Sequence, residues 1–398
     1  MKFNPIITSL LENDAYKFSM GQAIFHQHNG KVTHWSFKCR NKDVKFTPEM
    51  VQEIKEQIAA YCKLRYTEDE LNYLLTYEWI HRDYTDFLRF WHPRQEDIVI
   101  GTDSPCGLTI EIESSATNSS PYETQIMAIV CEVYYRMGGC GVPYEQALAD
   151  YKVQVDELID LIKRKVYNPG VFSDFGFRRR LSGEAQDYAI EKFKDIAGFV
   201  GTSNVYLAMK YGIKAVGTMA HEWVMLVGQG YPERNPAFSN KFMMDSWVKE
   251  YGILNGIALT DTIGTPAFLK DFQKTYATLF SGVRHDSADP YKWGDTMIEH
   301  YKSLGIDPMT KTLLFSDSLN FEKATAINKY FEGRAKVAFG IGGAICSPKG
   351  RELNIVIKTT EIDGKPVAKL SDAPGKNMCK DPEYIDYLRK TVDWRLNH

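Results

Sequence analysis

The chain has 398 residues, of which 44% are hydrophobic and 25% charged, and its formal net charge is -3. These values indicate a soluble globular protein with room for one large and one smaller domain. The sequence has no basic stripe of Lys and Arg of the kind that binds nucleic acid. The longest apolar run, Ile126–Cys131, is too short to cross a bilayer. The N-terminus lacks the apolar core of a signal peptide, and the seven cysteines include no C-x-x-C pair. We therefore expect a cytoplasmic protein with no membrane or nucleic-acid partner.

The first 170 residues mix helical and strand-like patterns. Helices are predicted at 7–28, within 47–95, at 123–136 and at 144–166, and strands at 32–39, 98–100 and 108–112. The polar stretch Ser114–Pro121 predicts a domain boundary or an ordered functional loop. We see no internal repeat and no low-complexity tract.

From residue 170 onward, short apolar runs alternate with helical segments. The seven predicted strands are 171–175, 199–201, 215–220, 257–259, 279–283, 312–315 and 337–341. Seven βα units in succession imply a parallel sheet, either closed into a barrel or open and doubly wound. The choice between the two depends on the residues that follow the strands.

Polar residues or glycine stand at the end of each of these runs. In chain order they are Asp174, Ser203, His221, Asp261, Asp286, Asp317 and Gly342. The carboxyl ends of barrel strands converge on one mouth, where active sites are built, whereas an open sheet concentrates its site near a switch point. The pattern therefore favours a barrel. Helix capping is the alternative for some of these residues, but it does not explain His221.

The segment Ala215–Trp223 is interpreted as a buried strand that ends on His221. A single histidine beside an apolar run is more often a hydrogen-bonded core residue than a catalytic one. The zinc-protease motif needs a second histidine four residues later, and that position holds Met225. His221 becomes a catalytic candidate because polar residues also follow the other predicted strands.

Three features predict an anionic, phosphorylated substrate. Arg178–Arg180 follow a strand, Phe339–Gly343 allows close approach of backbone N–H groups to a phosphate, and Val283–Asp289 combines a cation, acids and a hydroxyl. The last segment suits a ribose phosphate with a divalent ion. The G-x-x-x-x-G-K-[ST] loop is absent, so any ATP is not held in a P-loop.

Several motifs, in the same order along the chain, together resemble the nicotinate phosphoribosyltransferase family. The resemblance extends from Leu10 to Gly375 and rests on Asp14–Lys17, Asp174–Arg178, Gly201–Asn204, Gly217–Trp223, Arg284–Ser287, Phe315–Asp317 and Phe339–Gly343.

The resemblance implies a fold and an assembly. The fold is α/β, with an irregular TIM-like α/β barrel beside a smaller N-terminal α/β domain that the C-terminal tail completes. We place the N-terminal domain at 1–140 with 350–398 returning to it, and the barrel at 141–349. Strands at 355–358 and 366–369 would form the returning part. The resemblance also implies a homodimer with shared active sites.

The implied reaction converts nicotinate and phosphoribosyl pyrophosphate into nicotinate mononucleotide and pyrophosphate in NAD salvage. It is coupled to hydrolysis of ATP and uses Mg²⁺. His221 would take the phosphoryl group of ATP as a phosphohistidine.

The remaining roles concern binding. Arg178, Arg284 and the backbone of Gly342 and Gly343 would hold phosphates, Asp261 would contact substrate, and Asp286 and Asp317 would act in catalysis and hold ribose hydroxyls or Mg²⁺. Phe175 would stack on the pyridine ring, joined by Tyr16 from a partner subunit.

Ser203 carries a hypothesis about substrate choice. An uncharged hydroxyl can donate to the carboxylate of nicotinate, whereas the aspartate of nicotinamide-using relatives would repel it. Helix capping by Ser203 is the alternative. Alternatives for the whole chain are a transferase for nicotinamide or quinolinate, and a non-catalytic sugar-phosphate-binding or phosphohistidine relay protein on the same fold.

Overall fold

Two β-sheets organise the chain in the structure, a computed structural model that describes residues 3–373 and 379–398. The strands are β1 (Val32–Cys39), β2 (Ile98–Gly101), β3 (Thr109–Ser115), β4 (Val171–Asp174), β5 (Phe199–Thr202), β6 (Lys214–Ala215), β7 (Ile257–Leu259), β8 (Gly282–His285), β9 (Thr312–Phe315), β10 (Lys336–Ile341), β11 (Ile355–Ile362) and β12 (Lys365–Pro366).

Helices surround both sheets. They are α1 (Ala15–Gln27), α2 (Pro48–Tyr61), α3 (Glu68–Leu74), α4 (Arg82–Phe90), α5 (Ala116–Ser119), α6 (Tyr122–Arg136), α7 (Tyr144–Lys163), α8 (Gly183–Phe193), α9 (Val205–Tyr211), α10 (His221–Gln229), α11 (Ser239–Tyr251), α12 (Thr265–Asp271), α13 (Lys274–Leu279), α14 (Pro290–Ser303), α15 (Phe321–Phe331), α16 (Gly343–Cys346) and α17 (Pro382–Asn397). Across the described ranges, none of these helices combines the length and apolar character needed to span a bilayer.

The smaller sheet joins the two ends of the chain. Its strand order is β12-β11-β1-β3-β2, and β11 pairs antiparallel with β1 along Thr33–Cys39. The tail therefore returns to the N-terminal sheet, although its second strand is only Lys365–Pro366 and does not extend to Lys369. The domain boundaries at residues 140 and 350 stay a prediction.

The larger sheet consists of seven parallel strands in the order β6-β5-β4-β10-β9-β8-β7. Its interior is aromatic: Phe172, Phe315 and Phe339 are fully buried, and the last two rings stack with centroids 5.7 Å apart. The sheet curls into an irregular half-barrel with β6 and β7 at its two edges. The α/β fold class with a second, smaller sheet is confirmed.

The strand expected at Ala215–Ala220 is wrong. The strand covers only Lys214–Ala215, and His221 is the first residue of α10 rather than the end of a strand. The physical reason is that β6 lies at a sheet edge, so after Val216 the chain has no neighbouring strand to pair with on that side. It turns toward α1, where Ser19 Oγ donates to the carbonyl of Thr218 at 2.5 Å.

Helix α1 packs across this edge of the half-barrel. Thr218 Oγ1 donates to the carbonyl of Ile257 in β7 at 2.9 Å, which links the two edges through a side chain. The residues expected at the start of the first helix form no helix before Ala15, because Asp14 makes a β-bridge with Asn204. The backbone N–H of Ala15 then donates to the carbonyl of Ser203 at 2.8 Å. The start of α1 is thereby fixed at the mouth of the half-barrel.

Candidate active site

A cavity of about 1160 Å³ lies at the carboxyl ends of the parallel strands. Ten of the residues predicted to form the site line it: Tyr16, Phe175, Arg178, Ser203, His221, Arg284, Asp286, Asp317, Gly342 and Gly343. The barrel geometry explains this convergence, because nine of these residues lie at or after the carboxyl ends of β4, β5, β6, β8, β9 and β10, and Tyr16 lies on the helix across the mouth.

His221 is held on both ring nitrogens. Its Nδ1 lies 2.9 Å from Thr262 Oγ1, and its Nε2 lies 2.6 Å from Lys369 Nζ and 2.9 Å from Asp286 Oδ2. A lysine ammonium has donors only, so Nε2 accepts from Lys369 and the ring proton is on Nδ1, where Thr262 accepts it. This arrangement leaves a neutral imidazole whose Nε2 lone pair points into the charged cluster.

Charge and burial both keep this imidazole neutral. Burial, followed by the charge of Lys369, lowers the pKa of His221 to about 4, against the opposing effect of Asp261 and Asp286. Burial also opposes ionisation of Asp286, yet Lys369, His221 and Arg284 hold its pKa well below the ordinary range. At neutral pH the cluster therefore contains an ionised Asp286 beside an unprotonated histidine.

Asp261 lies behind this cluster rather than on the cavity wall. It is 1% exposed, and its Oδ2 lies 2.9 Å from Lys369 Nζ and accepts from Ser287 Oγ at 2.5 Å. These contacts indicate that Asp261 holds the ammonium group of Lys369 in position. A direct contact between Asp261 and substrate stays a prediction.

Arg178 and Tyr16 form one wall of the cavity. Arg178 Nη1 donates to Tyr16 Oη at 2.8 Å within the same chain. Tyr16 therefore lies on the cavity wall of its own chain, and a Tyr16 supplied by a partner subunit stays a prediction. This hydrogen bond holds the Arg178 guanidinium in a position where its remaining N–H groups can donate to a bound anion.

Phe175 forms the neighbouring aromatic surface. Its ring lies over Gly340 of β10, where any Cβ would overlap the ring, and its carbonyl is close to Gly342. Glycine at 340 is thus needed for this close packing. The half-buried ring faces the cavity, in a position where a planar substrate can stack.

Ser203 does not cap the following helix. The side chain of Asn204 does so, accepting from the backbone N–H groups of Tyr206 and Leu207. Ser203 Oγ instead donates to Asp14 Oδ1 at 2.5 Å. Burial raises the pKa of Asp14, against the effects of Arg178 and of Ser203 itself. The capping alternative is wrong, and Asp14 joins the candidate site.

The cavity wall also carries Arg179 of the predicted arginine run, and further cations for which the sequence predicted no role, including Arg40, Lys358 and Lys369. Burial and then Arg178 lower the pKa of Arg179 to about 10, and burial and then Lys369 lower that of Lys358 to about 8. Mutual repulsion among buried cations is relieved when an anion binds. For Lys369, the signal in the sequence was a lysine inside the apolar segment Pro366–Leu370.

Asp174 shows that a polar strand end need not face the cavity. It is completely buried and accepts from Gly176 N, Gln186 Nε2 and Thr202 Oγ1 at 2.7–2.8 Å. These bonds fix the loop that carries Phe175 and Arg178.

Comparisons with known proteins agree along the whole chain. Residues 171–395 match the nicotinate phosphoribosyltransferase (NAPRTase) family model, and residues 11–131 match the model of the family's N-terminal domain. The nicotinate phosphoribosyltransferases of Chromobacterium violaceum and Acinetobacter baylyi are 39% and 40% identical, over 98% of this chain and 98% and 97% of theirs.

Solved structures agree with the same family. That of nicotinate phosphoribosyltransferase from Vibrio cholerae has a TM-score of 0.90 at 35% identity, covering 98% of this chain and 94% of its own. A putative nicotinate phosphoribosyltransferase from Saccharomyces cerevisiae has a TM-score of 0.88 at 31% identity, covering 99% and 100%.

Proposed function

This chain belongs to the nicotinate phosphoribosyltransferase family and carries its activity in NAD salvage, and from this premise we propose how its site works. Nicotinate attacks the anomeric carbon of phosphoribosyl pyrophosphate, giving nicotinate mononucleotide and pyrophosphate. Hydrolysis of ATP is coupled to this reaction through a phosphohistidine at His221. The observation that carries the proposal is the neutral His221 beside Lys369 and Asp286.

Binding of two anionic substrates is the first task of the site. Arg178 and Arg284 supply guanidinium forks, and the latter is fixed by donation from Nη1 to the carbonyl of Met219 at 3.0 Å. Arg40, Arg179 and Lys358 add positive charge on the same wall. The pyridine ring stacks on Phe175 near Tyr16. Holding both reactants in line supplies much of the rate enhancement for a bimolecular displacement.

Phosphorylation of His221 is the second task. The Nε2 lone pair attacks the γ-phosphorus of ATP, the bond from phosphorus to the bridging oxygen breaks, and ADP leaves. Lys369, 2.6 Å from Nε2, shifts toward the transferred oxygens and offsets their charge. Water later attacks the same phosphorus, which releases phosphate and restores the imidazole.

Mg²⁺ belongs to the proposal as the counterion of pyrophosphate. Asp317 suits it, because this half-buried carboxylate lines the cavity and Mg²⁺ prefers one or two carboxylates together with substrate phosphates. Asp286 suits it less, since Lys369 and Arg284 already lie 3.1 and 3.6 Å from its carboxylate oxygens. The ion would neutralise the leaving pyrophosphate.

The location that we propose is the cytoplasm. All seven cysteines are unpaired thiols, five of them half-buried, which suits a reducing compartment.

A single assay tests the acceptor and the coupling together. Nicotinate and nicotinamide are each offered with phosphoribosyl pyrophosphate, with and without ATP, and the mononucleotide and ADP are quantified. We expect turnover with nicotinate, stimulation by ATP and ADP formation. Preference for nicotinamide, or absence of product with either acceptor, would favour the alternatives.

The phosphohistidine has a separate test. His221→Ala should lose ATP hydrolysis and acid-labile label from γ-labelled ATP, while slow uncoupled synthesis continues because the reactants are still bound and oriented. His92→Ala, a histidine that does not line the cavity, serves as the matched control. Label retained by the His221 variant contradicts the assignment.

A further inference from the structure

A second group of potential metal ligands lies at the other end of α1. Within the described residues, His26, His81 and Glu250 bring one ligand atom each to within 4.8 Å of one another. Their elements differ: His26 is near the end of α1, His81 precedes α4 and Glu250 is on α11. His26 is ten residues after Tyr16, about 15 Å along the helix, so this group is separate from the catalytic cavity.

The ligand atoms are already oriented toward one another. His26 Nδ1 lies 2.6 Å from Glu250 Oε1, and its Nε2 lies 3.1 Å from Asp83 Oδ2. The rings of His26 and His81 stack with centroids 5.6 Å apart. Tetrahedral Zn²⁺ with bonds of about 2.1 Å needs neighbouring ligands about 3.4 Å apart, which small side-chain rotations reach from here.

Amide groups hold the carboxylate from behind. The side chain of Glu250 is 5% exposed, and it accepts from Gln22 Nε2 and Gln27 Nε2 at 3.1 Å each. Gln22 Oε1 also accepts from the backbone N–H of His81 at 2.7 Å, so one glutamine positions two of the ligands. Such hydrogen-bonded support of ligating groups is typical of metal sites.

We propose that His26, His81 and Glu250 bind a Zn²⁺-type transition-metal ion, with water as the fourth ligand. Two imidazoles and one carboxylate suit zinc rather than magnesium, which prefers oxygen donors. The bound ion cross-links α1 to α4 and α11. It thereby stabilises the helix whose opposite end carries Tyr16, by mass action on the folded state.

Zinc titration of the full-length chain tests this site. Wild type is treated with chelator, desalted and titrated with zinc chloride at neutral pH by calorimetry, and Co²⁺ is added separately to follow its visible absorption. We expect saturable binding at this site, tetrahedral Co²⁺ bands and a zinc-dependent rise in melting temperature. His81 is exposed and makes no side-chain cap to α4, so His81→Ala should fold normally.

The variants separate this site from the catalytic cluster, where His221, Asp261 and Asp286 also lie together. His81→Ala and Glu250→Gln should each weaken zinc binding at least about tenfold, whereas His221→Ala and His92→Ala should leave it unchanged. Wild-type affinity in His81→Ala, loss of binding only in His221→Ala, or no saturable binding in wild type would each overturn the proposal.

Discussion

At the scale of single residues, Lys369 joins the C-terminal tail to His221, the proposed nucleophile. It is 5% exposed and contacts His221, Asp261 and Asp286 at 2.6–3.1 Å. The sequence could not assign this role, because Lys369 is 148 residues from His221 and no periodic pattern marks the contact. By contrast, His221 could be identified as a catalytic candidate from the sequence. It follows an apolar run, and the polar residues after the other strands predicted a common site at the carboxyl ends of the strands.

Replacing Lys369 by methionine should shift the pH dependence of ATP hydrolysis. Burial alone then depresses the pKa of His221 from its ordinary 6.5, while Asp261 and Asp286 raise it. The histidine therefore becomes protonated at a higher pH, and the protonated ring has no lone pair on Nε2. The acidic limb of the pH–rate profile should move upward by roughly 1–2 units. Lys292→Met, at the surface, is the control, and an unmoved limb would refute the electrostatic role.

Ser203→Ala should lower kcat/KM for nicotinate about tenfold, roughly 1.4 kcal/mol, because the single O–H, which donates to Asp14 in this structure, would turn to the carboxylate of the bound acid. Preference for nicotinate over nicotinamide should fall as well. Ser203→Asp is a poorer test, since the new carboxylate would face Asp14. Ser203→Thr keeps the hydroxyl and should restore the wild-type preference. Unchanged preference in the alanine variant would show that Ser203 does not select the acid.

At the scale of elements, the positions of most strands could be predicted from the sequence, but the length of the edge strand β6 could not. Apolar runs marked β4, β5, β9 and β10 to within one or two residues, because these strands are buried inside the sheet, and the run at 257–259 marked the edge strand β7 as well. The run at 215–220 has the same composition, yet its extension depends on a neighbouring strand that this edge lacks. A local pattern records burial, whereas the length of an edge strand depends on tertiary pairing.

The contact between β10 and the loop after β4 gives an element-scale prediction. Gly340→Ala places a Cβ into the Phe175 ring and forces that ring away from its position. We expect a several-fold higher KM for nicotinate with a smaller change in kcat, because ring stacking contributes about 1 kcal/mol. Initial-rate kinetics measure both constants. Gly30→Ala meets open space and should behave as wild type; equal KM values in the two variants would argue against stacking on Phe175.

At the scale of the whole molecule, one chain contains every candidate residue of the site. Tyr16 and Arg178 are bonded within one chain, and the bridge between Asp14 and Asn204 anchors α1 on its own half-barrel. The homodimer with shared active sites that the resemblance implies stays a prediction. Family motifs alone could not decide this, since they do not state which chain supplies each segment.

Mixing Tyr16→Ala chains with His221→Ala chains tests this arrangement. Both positions line the same cavity, so each chain of a hybrid lacks one of them and activity should not recover. Differently tagged chains are co-expressed and hybrids are isolated by tandem purification before assay. Recovery toward half of the wild-type rate would show that Tyr16 acts across subunits. If the protein forms only monomers, the activity of the wild-type monomer decides, because an active monomer supplies Tyr16 from its own chain.

The return of the tail to the N-terminal sheet also orders events during synthesis. A nascent chain that has not yet emerged beyond residue 355 leaves the Thr33–Cys39 side of β1 without β11, an open edge that favours association with other chains. Its His221 also lacks Lys369, so the nucleophile has neither its final charge balance nor its partner. We therefore expect a product truncated before residue 355 to be inactive and prone to aggregate.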